Sequence, residues 1–171
     1  MASNANAVVD GSRPNALAWL VLSVVLIGLD QFSKWLAVAR LEFQQPEAFI
    51  PGFWNWTLTH NTGAAFSFLA DAGGWQHLFF IGLALAISIG LAIALRRTAR
   101  SDWRTALPFA LIIAGALGNV IDRLRFGYVV DFVQWYFRSF QWPVFNLADS
   151  CIVVGAVLML LTSVGHKGKV R

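Results

Sequence analysis

The sequence predicts an all-α membrane protein of four transmembrane helices, carrying a small β element on its outer surface. Three observations lead there. Apolar residues make up 57% of the chain and charged residues only 13%, against roughly 25% charged in soluble domains. The apolar residues gather into four stretches, each near the ~20 residues a helix needs to cross ~30 Å of hydrocarbon. The basic residues flank those stretches in two unequal groups.

Residues 1–15 are small and polar, with Gly11 and Pro14, and read as a disordered tail. Residues 16–171 then form a single membrane domain, with no internal repeat and no low-complexity linker. Its first apolar stretch runs from about Ala16 to Val38, and Ala37-Val38-Ala39 resembles a signal-peptide cleavage site. The stretch is too long for a signal core, and Asp30 and Lys34 interrupt the approach to that site. It reads as a retained helix. The other stretches are about Trp75–Leu95, Thr105–Ile121 and Val144–Val164.

Four spans place both termini on one side. Arg13, Arg96, Arg97, Arg100, Arg104, Lys167, Lys169 and Arg171 share that side, whereas Arg40, Arg123, Arg125 and Arg138 lie on the other. The richer side is cytoplasmic by the positive-inside rule. Trp19, Trp35, Trp75, Trp103 and Trp142 fall near span ends, where amphipathic rings prefer the interface. In the outer loops, Trp54, Trp56 and Leu58 alternate with Asn55, Thr57 and Thr59, the pattern of a half-buried strand. Tyr128–Phe137 is similarly rich in β-branched and aromatic residues.

The net charge of +4 comes without a basic stripe or aromatic–basic interleaving, so nucleic acid is not an expected partner. The single cysteine, Cys151, permits no disulfide framework. His60, His77 and His166 lack metal-ligand spacing and there is no HExxH, so neither metal nor cofactor is expected.

The polar residues carried by the spans converge on the outer side. Asp30 and Lys34 lie near the outer end of the first helix, Asn119, Asp122 and Arg123 at the outer end of the third, and Asn146 and Asp149 at the outer start of the fourth. Asp131 and the Asn61-Thr62-Gly63 turn lie between them. Ionisable groups near hydrocarbon are expensive, and they pair with one another or mark function. Asp30 and Lys34 have i, i+4 ion-pair spacing. Asp122 and Arg123 read as charges snorkelling to the interface. Asn146 and Asp149 have the spacing of a capping box, whereas Asp131 has no adjacent base.

Ser33 beside Lys34 and Ser150 beside Asp149 are sequence neighbours that do not face each other on a helix, and no GxSxG elbow is present. Two carboxylates on one side remain the most economical catalytic pair, one activating water while the other donates to a carbonyl oxygen. A proton-coupled transporter would keep its polar site nearer the midplane, often between repeats. A non-enzymatic assembly factor would use the same groups only to join helices.

At these residues the chain resembles the lipoprotein signal peptidases (signal peptidase II), aspartyl proteases of bacterial membranes. Four blocks in order carry the resemblance: Asp30-Gln31-Phe32-Ser33-Lys34; Asn61-Thr62-Gly63-Ala64-Ala65-Phe66-Ser67; Gly115 to Arg123 leading into Val129-Val130-Asp131-Phe132; and Phe145-Asn146-Leu147-Ala148-Asp149-Ser150. The resemblance implies four helices with a small extracytoplasmic β-cradle, in the bacterial cytoplasmic (inner) membrane, with the active site at the extracytoplasmic face. It implies Asp131 and Asp149 as the catalytic pair. Asn61, Gly63, Asn119, Arg123 and Asn146 would line or support the site, and Asp30 with Lys34 would be a supporting pair. The implied substrates are lipidated prolipoproteins met among membrane lipids, cut just before the diacylglyceryl-modified cysteine, and globomycin is the implied inhibitor.

Charge placement gives a direct test of topology. A reporter fused after Arg171 is expected in the cytoplasm, and one inserted in the Arg40–Asp71 loop outside it. The opposite pattern would remove the argument that the polar groups share the outer face.

Overall fold

The structure, a computed structural model, describes residues 15–63 and 75–166. The expected tail at 1–15 falls outside the described residues except for Asn15, as do the last five residues with their basic side chains. Helix α1 (Leu20–Arg40) follows a short 3₁₀ turn at Leu17–Trp19, and α2 (Gln76–Arg97), α3 (Trp103–Phe126) and α4 (Leu147–His166) complete the helices. Four antiparallel strands form one sheet in chain order: β1 (Glu47–Ile50), β2 (Trp54–Asn61), β3 (Val129–Phe137) and β4 (Phe140–Gln141).

The helices are inside out relative to a soluble bundle. Val21, Val24, Leu29, Phe32 and Trp35 of α1 face outward, while Ser23, Asp30 and Lys34 of the same helix are buried. Hydrocarbon needs no polar coat, so polar side chains turn inward to find partners. Ser23 shows the rule, its hydroxyl donating to the Ala110 carbonyl across α1 and α3 at 2.8 Å. Among the described residues, α1 with its leading turn, α2 and α3 are long and apolar enough to cross a membrane. The described apolar part of α4 is shorter, Leu147–Ser163.

Helix α3 is the axis on which the others pack. Of its apolar span 61% is buried, against 22% for the α1 span and 17% for α2. Its start is capped by Asp102, whose carboxylate accepts the Thr105 N–H at 3.3 Å. Its end is Gly127 at φ 80°, a left-handed conformation that glycine enters without strain. The chain thereby turns from α3 straight into β3. Gly115 sets the approach of α4, because a Cβ there would run into the Ala148 carbonyl oxygen and lie 2.7 Å from Ile152.

The sheet departs from the expected alternation. Thr57 and Leu58 are both buried, although they were expected on opposite faces. The β2–β3 register shifts between Trp56 and Thr59, and such a bulge rotates the side chains beyond it. The shift places Thr59 opposite Asp131 and Asn61 opposite Val129. The rest of β2 is secured by aromatic contacts, Phe49 against Trp54 and Trp56, and Trp56 against Phe132. Strands β1 and β4, with no marked sequence pattern, are held by pairing with β2 and β3.

The close α3–α4 approach yields a stability test. Gly115→Val is expected to destabilise the protein by about 1–3 kcal/mol through overpacking, read as a lowered unfolding temperature in detergent. Gly82→Val, where a Cβ meets nothing within 4 Å, is the control and should unfold near the parent temperature. Equal behaviour of the two variants would contradict the packing described.

Candidate active site

The site is assembled around the start of α4. Asn146 caps that helix: its side-chain oxygen accepts the Asp149 N–H at 2.8 Å, and the Asp149 carboxylate accepts the Asn146 N–H at 3.3 Å. This reciprocal box fixes Asp149 in the first turn. The Asn146 side-chain amide is then left to donate, reaching Asp131 Oδ1 at 2.7 Å and Asn119 Oδ1 at 3.1 Å. A helix cap and the buried carboxylate of β3 are thus held by one side chain.

The carboxylate of Asp131 accepts a second amide at its other oxygen, from Asn61 at 3.1 Å. The orientation of Asn61 follows from its oxygen, which accepts the Gly63 N–H at 3.0 Å and so turns the NH2 toward Asp131. Asn119 is oriented by charge. Its oxygen faces the Lys34 ammonium at 2.9 Å, which can only donate, so its NH2 points to Asp149 Oδ1 at 2.8 Å. Both aspartates are therefore gripped by neutral amides, one on each carboxylate oxygen. Each oxygen keeps a lone pair for a further ligand.

Electrostatics differ from those of an exposed acid. Burial pushes the Asp131 carboxyl up to about 7, and the neighbouring Asp149 charge adds to the rise. The Asn61 and Asn146 amides and the more distant Lys34 cation pull the other way.

Below the pair, Lys34 bridges α1 and α3, 2.9 Å from both Asp30 and Asp122. The i, i+4 pairing of Asp30 with Lys34 is present, but Asp122 does not snorkel. It is 1% exposed, because its place one turn beyond Gly118 and Asn119 turns it toward α1. It also accepts from Gln31 at 2.8 Å and from the Val130 N–H at 3.0 Å. Asp122 and Gln31 are participants that sequence reasoning left out of the site. Their signals were the place of Asp122 among the polar residues at the outer end of the third helix and that of Gln31 beside Asp30 in the first sequence block. Arg123 is half-buried, donating to the Gly63 carbonyl at 2.9 Å and lying over the Phe80 ring.

All nine side chains and backbone positions singled out from the sequence (Asp30, Lys34, Asn61, Gly63, Asn119, Arg123, Asp131, Asn146, Asp149) meet in this one connected region. Other candidates are placed elsewhere. The Ser33 and Ser150 hydroxyls donate to the backbone carbonyls of Asp30 and Asn146. His60 is packed against Tyr128 and Phe43. Among the described residues no three His, Cys, Asp or Glu side chains group as metal ligands.

A cavity of about 560 Å³ opens beside the pair. Asp149, Asn119, Asn61 and Arg123 form its polar end, and Phe80, Leu83 and Ile87 of α2 face Ile152 and Val153 of α4 along the rest. Asp131 lies behind the polar end, joined to it through Asn61.

The fold is shared by two solved structures, each described as a bacterial membrane enzyme structure obtained by the in meso method. One is at 2.3 Å, with a TM-score of 0.79 and 27% identity, covering 93% of this chain and 95% of that one. The other is at 1.9 Å, with a TM-score of 0.70 and 29% identity, covering 87% and 94%. The model for the family "Signal peptidase (SPase) II" matches residues 22–165. Curated lipoprotein signal peptidases are similar: that of Xanthomonas euvesicatoria pv. vesicatoria is 61% identical over 145 residues, 85% of this chain and 84% of the relative. That of Xylella fastidiosa (strain M12) is 58% identical over 146 residues, 85% and 87%. The chain belongs to the signal peptidase II family.

The raised Asp131 carboxyl makes a signed prediction about stability. Between pH 3.8 and about 7 the folded protein keeps a proton that the unfolded chain has lost. Stability therefore falls as pH rises through that window. Relative to the parent, Asp131→Asn is expected to gain stability from pH 4 to 7, by a few kcal/mol at most, and no further above it. Unfolding temperatures of both proteins across pH 4–8 in detergent measure the gain. A constant difference would mean that Asp131 is not raised.

Proposed function

We propose that this chain is an aspartyl endopeptidase that removes signal peptides from diacylglyceryl-modified prolipoproteins, cutting just before the lipidated cysteine, with Asp131 and Asp149 as its catalytic pair. The observation that carries the reading is the pair itself. Two carboxylates, Asp131 buried and Asp149 partly buried, are each held by neutral amides rather than by a direct ion pair, with Asp149 at the polar end of an apolar cleft and Asp131 just behind it. A cation in direct contact would favour ionisation of both, whereas amides leave the pair able to share one proton.

In the first step the ionised carboxylate takes a proton from water as the water oxygen bonds to the scissile carbonyl carbon. The protonated carboxylate meanwhile supports the carbonyl oxygen as negative charge develops there. In the second step the leaving nitrogen receives a proton, the C–N bond breaks, and one proton again lies between the two acids. No group beyond the pair, the peptide and water is needed for this balance.

The surroundings suit an amphiphilic substrate. The apolar walls from α2 and α4 take lipid chains or an apolar signal segment laterally, while Asn61, Gly63, Asn119, Arg123 and Asn146 position the pair and the peptide near it. Asp30 and Lys34 support them from below. In this reading α4 is a fourth span, residues 16–171 are one domain behind a 15-residue tail, and both termini are cytoplasmic. The sheet and the site then stand at the extracytoplasmic face of the bacterial inner membrane, where water reaches the pair. Globomycin is the expected inhibitor.

Cleavage of a lipidated precursor peptide tests the reading. Asp131→Asn and Asp149→Asn should each lower turnover by roughly 10³-fold or more, equivalent to about 4 kcal/mol of barrier, in folded protein. Retained turnover in either would sink the pair. The pH profile of kcat/KM should be bell-shaped. With Asp131 raised to about 7, the singly protonated state is lost above that pH, so activity should decline on the alkaline side of neutrality. An activity plateau extending well beyond neutrality in folded protein would show that no shared proton is required.

A further inference from the structure

We propose that the buried cluster Asp30–Lys34–Asp122 is a positioning clamp, which sets the spacing of the two proposed catalytic aspartates by holding the backbone N–H of the residue before each. The inference rests on the assignment of Asp131 and Asp149 as the catalytic pair.

The geometry is the same on both sides. Asp30 Oδ1 accepts the Ala148 N–H at 2.9 Å, and Asp122 Oδ2 accepts the Val130 N–H at 3.0 Å. Ala148 immediately precedes Asp149, and Val130 immediately precedes Asp131. Because the peptide unit is planar, fixing its N–H fixes the plane. Little more than the φ and ψ of Ala148 and of Val130 then separates each anchored plane from its aspartate. The Ala148 N–H is one of the donors that a helix start leaves without an internal partner. Asp30 therefore acts as a second cap on α4, supplied from α1.

Lys34 ties the two anchors together. An ammonium has three N–H groups, and here it has three acceptors at 2.9 Å: Asp30, Asp122 and Asn119. Gln31 cross-links the same carboxylates, 2.8 Å from Asp122 and 3.3 Å from Asp30. All three charged residues are at most 3% exposed. Buried ion clusters are commonly replaceable by apolar side chains at little or no cost in stability, so stability alone is a weak reason for this one. A gain in geometry is a stronger reason, since a misplacement of about 1 Å at a reacting centre costs on the order of 10²-fold in rate.

The two carboxylates differ in a way that makes the clamp testable. Asp122 uses one oxygen for Val130 and Lys34 and the other for Gln31 alone. In Asp122→Asn the oxygen can keep Val130 and Lys34, while the new NH2 faces only the Gln31 side-chain amide, which can draw back because it also donates to the Gly118 carbonyl and to Asp30. In Asp30, by contrast, one oxygen faces the Ala148 N–H and the other faces Lys34 and Gln31. Asp30→Asn must therefore turn its NH2 against a fixed donor. Both substitutions remove one negative charge from the same cluster, so a gap between them reports geometry and not charge. Gly118→Ala perturbs the clamp without removing any polar group, because its methyl would lie 2.8 Å from Asp30 Oδ2.

The experiment is steady-state cleavage of a lipidated precursor peptide by the purified full chain in detergent, with unfolding temperature measured for every variant. Asp122→Ala, Asp30→Asn and Gly118→Ala are expected to lower kcat by roughly 30-fold or more, with KM within about threefold of the parent. Asp122→Asn should recover most of the loss seen in Asp122→Ala, to within about fivefold of the parent kcat. If Asp122→Ala does not fold, Gly118→Ala and the two asparagine variants carry the comparison. Equal kcat for Asp30→Asn and Asp122→Asn, or parent kcat in folded Gly118→Ala, would overturn the clamp. Turnover retained by Asp131→Asn or Asp149→Asn would instead overturn the catalytic assignment, so the two failures are distinguishable.

Discussion

A lysine ammonium with no access to water must find its hydrogen-bond acceptors inside the protein, and Lys34 finds all of them at the junction of α1 and α3. Leaving such a charge uncompensated in a low-dielectric interior costs several kcal/mol, so its position constrains what surrounds it. Asp30 and Asp122 are drawn inward, and Asn119 must present its oxygen. Once the oxygen of Asn119 is committed, its NH2 can only point up to Asp149. One buried cation thus dictates the orientation of groups two bonds away in the network, and none of those groups needs to contact the others directly.

Asparagine is the residue type that lets this charge act at a distance. Asn61, Asn119 and Asn146 each use the oxygen to satisfy a donor and the NH2 to hold a carboxylate. An arginine or lysine in the same places would neutralise the carboxylates directly and pull them toward ionisation. A neutral amide holds position and favours the ionised form too, but at Asp131 its pull is smaller than the push of burial. Asp131, buried and beside a second acid, is accordingly pushed up to about 7 while each of its oxygens accepts one amide hydrogen bond.

The surrounding fold is arranged to bring those residues to one depth. Helix α3 carries the polar face, the glycine at 115 admits α4, and the left-handed turn at Gly127 returns the chain into β3 so that Asp131 approaches the start of α4. The apolar cleft between α2 and α4 leads to the same place. Lipid-facing apolar surface and a polar interior are consequences of a single solvent change, from water to hydrocarbon.

Much of this was legible in the chain itself. The four apolar helices, the strands at Trp54 and Val129, the Asp30–Lys34 spacing and the Asn146–Asp149 capping box are local features, determined by periodicity and by contacts three or four residues apart. Resemblance to a family named the site residues, and they meet in space. What the sequence could not determine are contacts between residues tens of positions apart. It could not show that Asp122 turns inward to Lys34 instead of outward to the interface, that Gln31 joins the cluster, or that the β2 bulge buries Thr57 and Leu58 together. Those outcomes depend on which face of one helix meets another and on where a register slips. Such choices are settled by the packing of the whole chain, because the energy of burying a charge or a side chain belongs to the pair of surfaces that close over it.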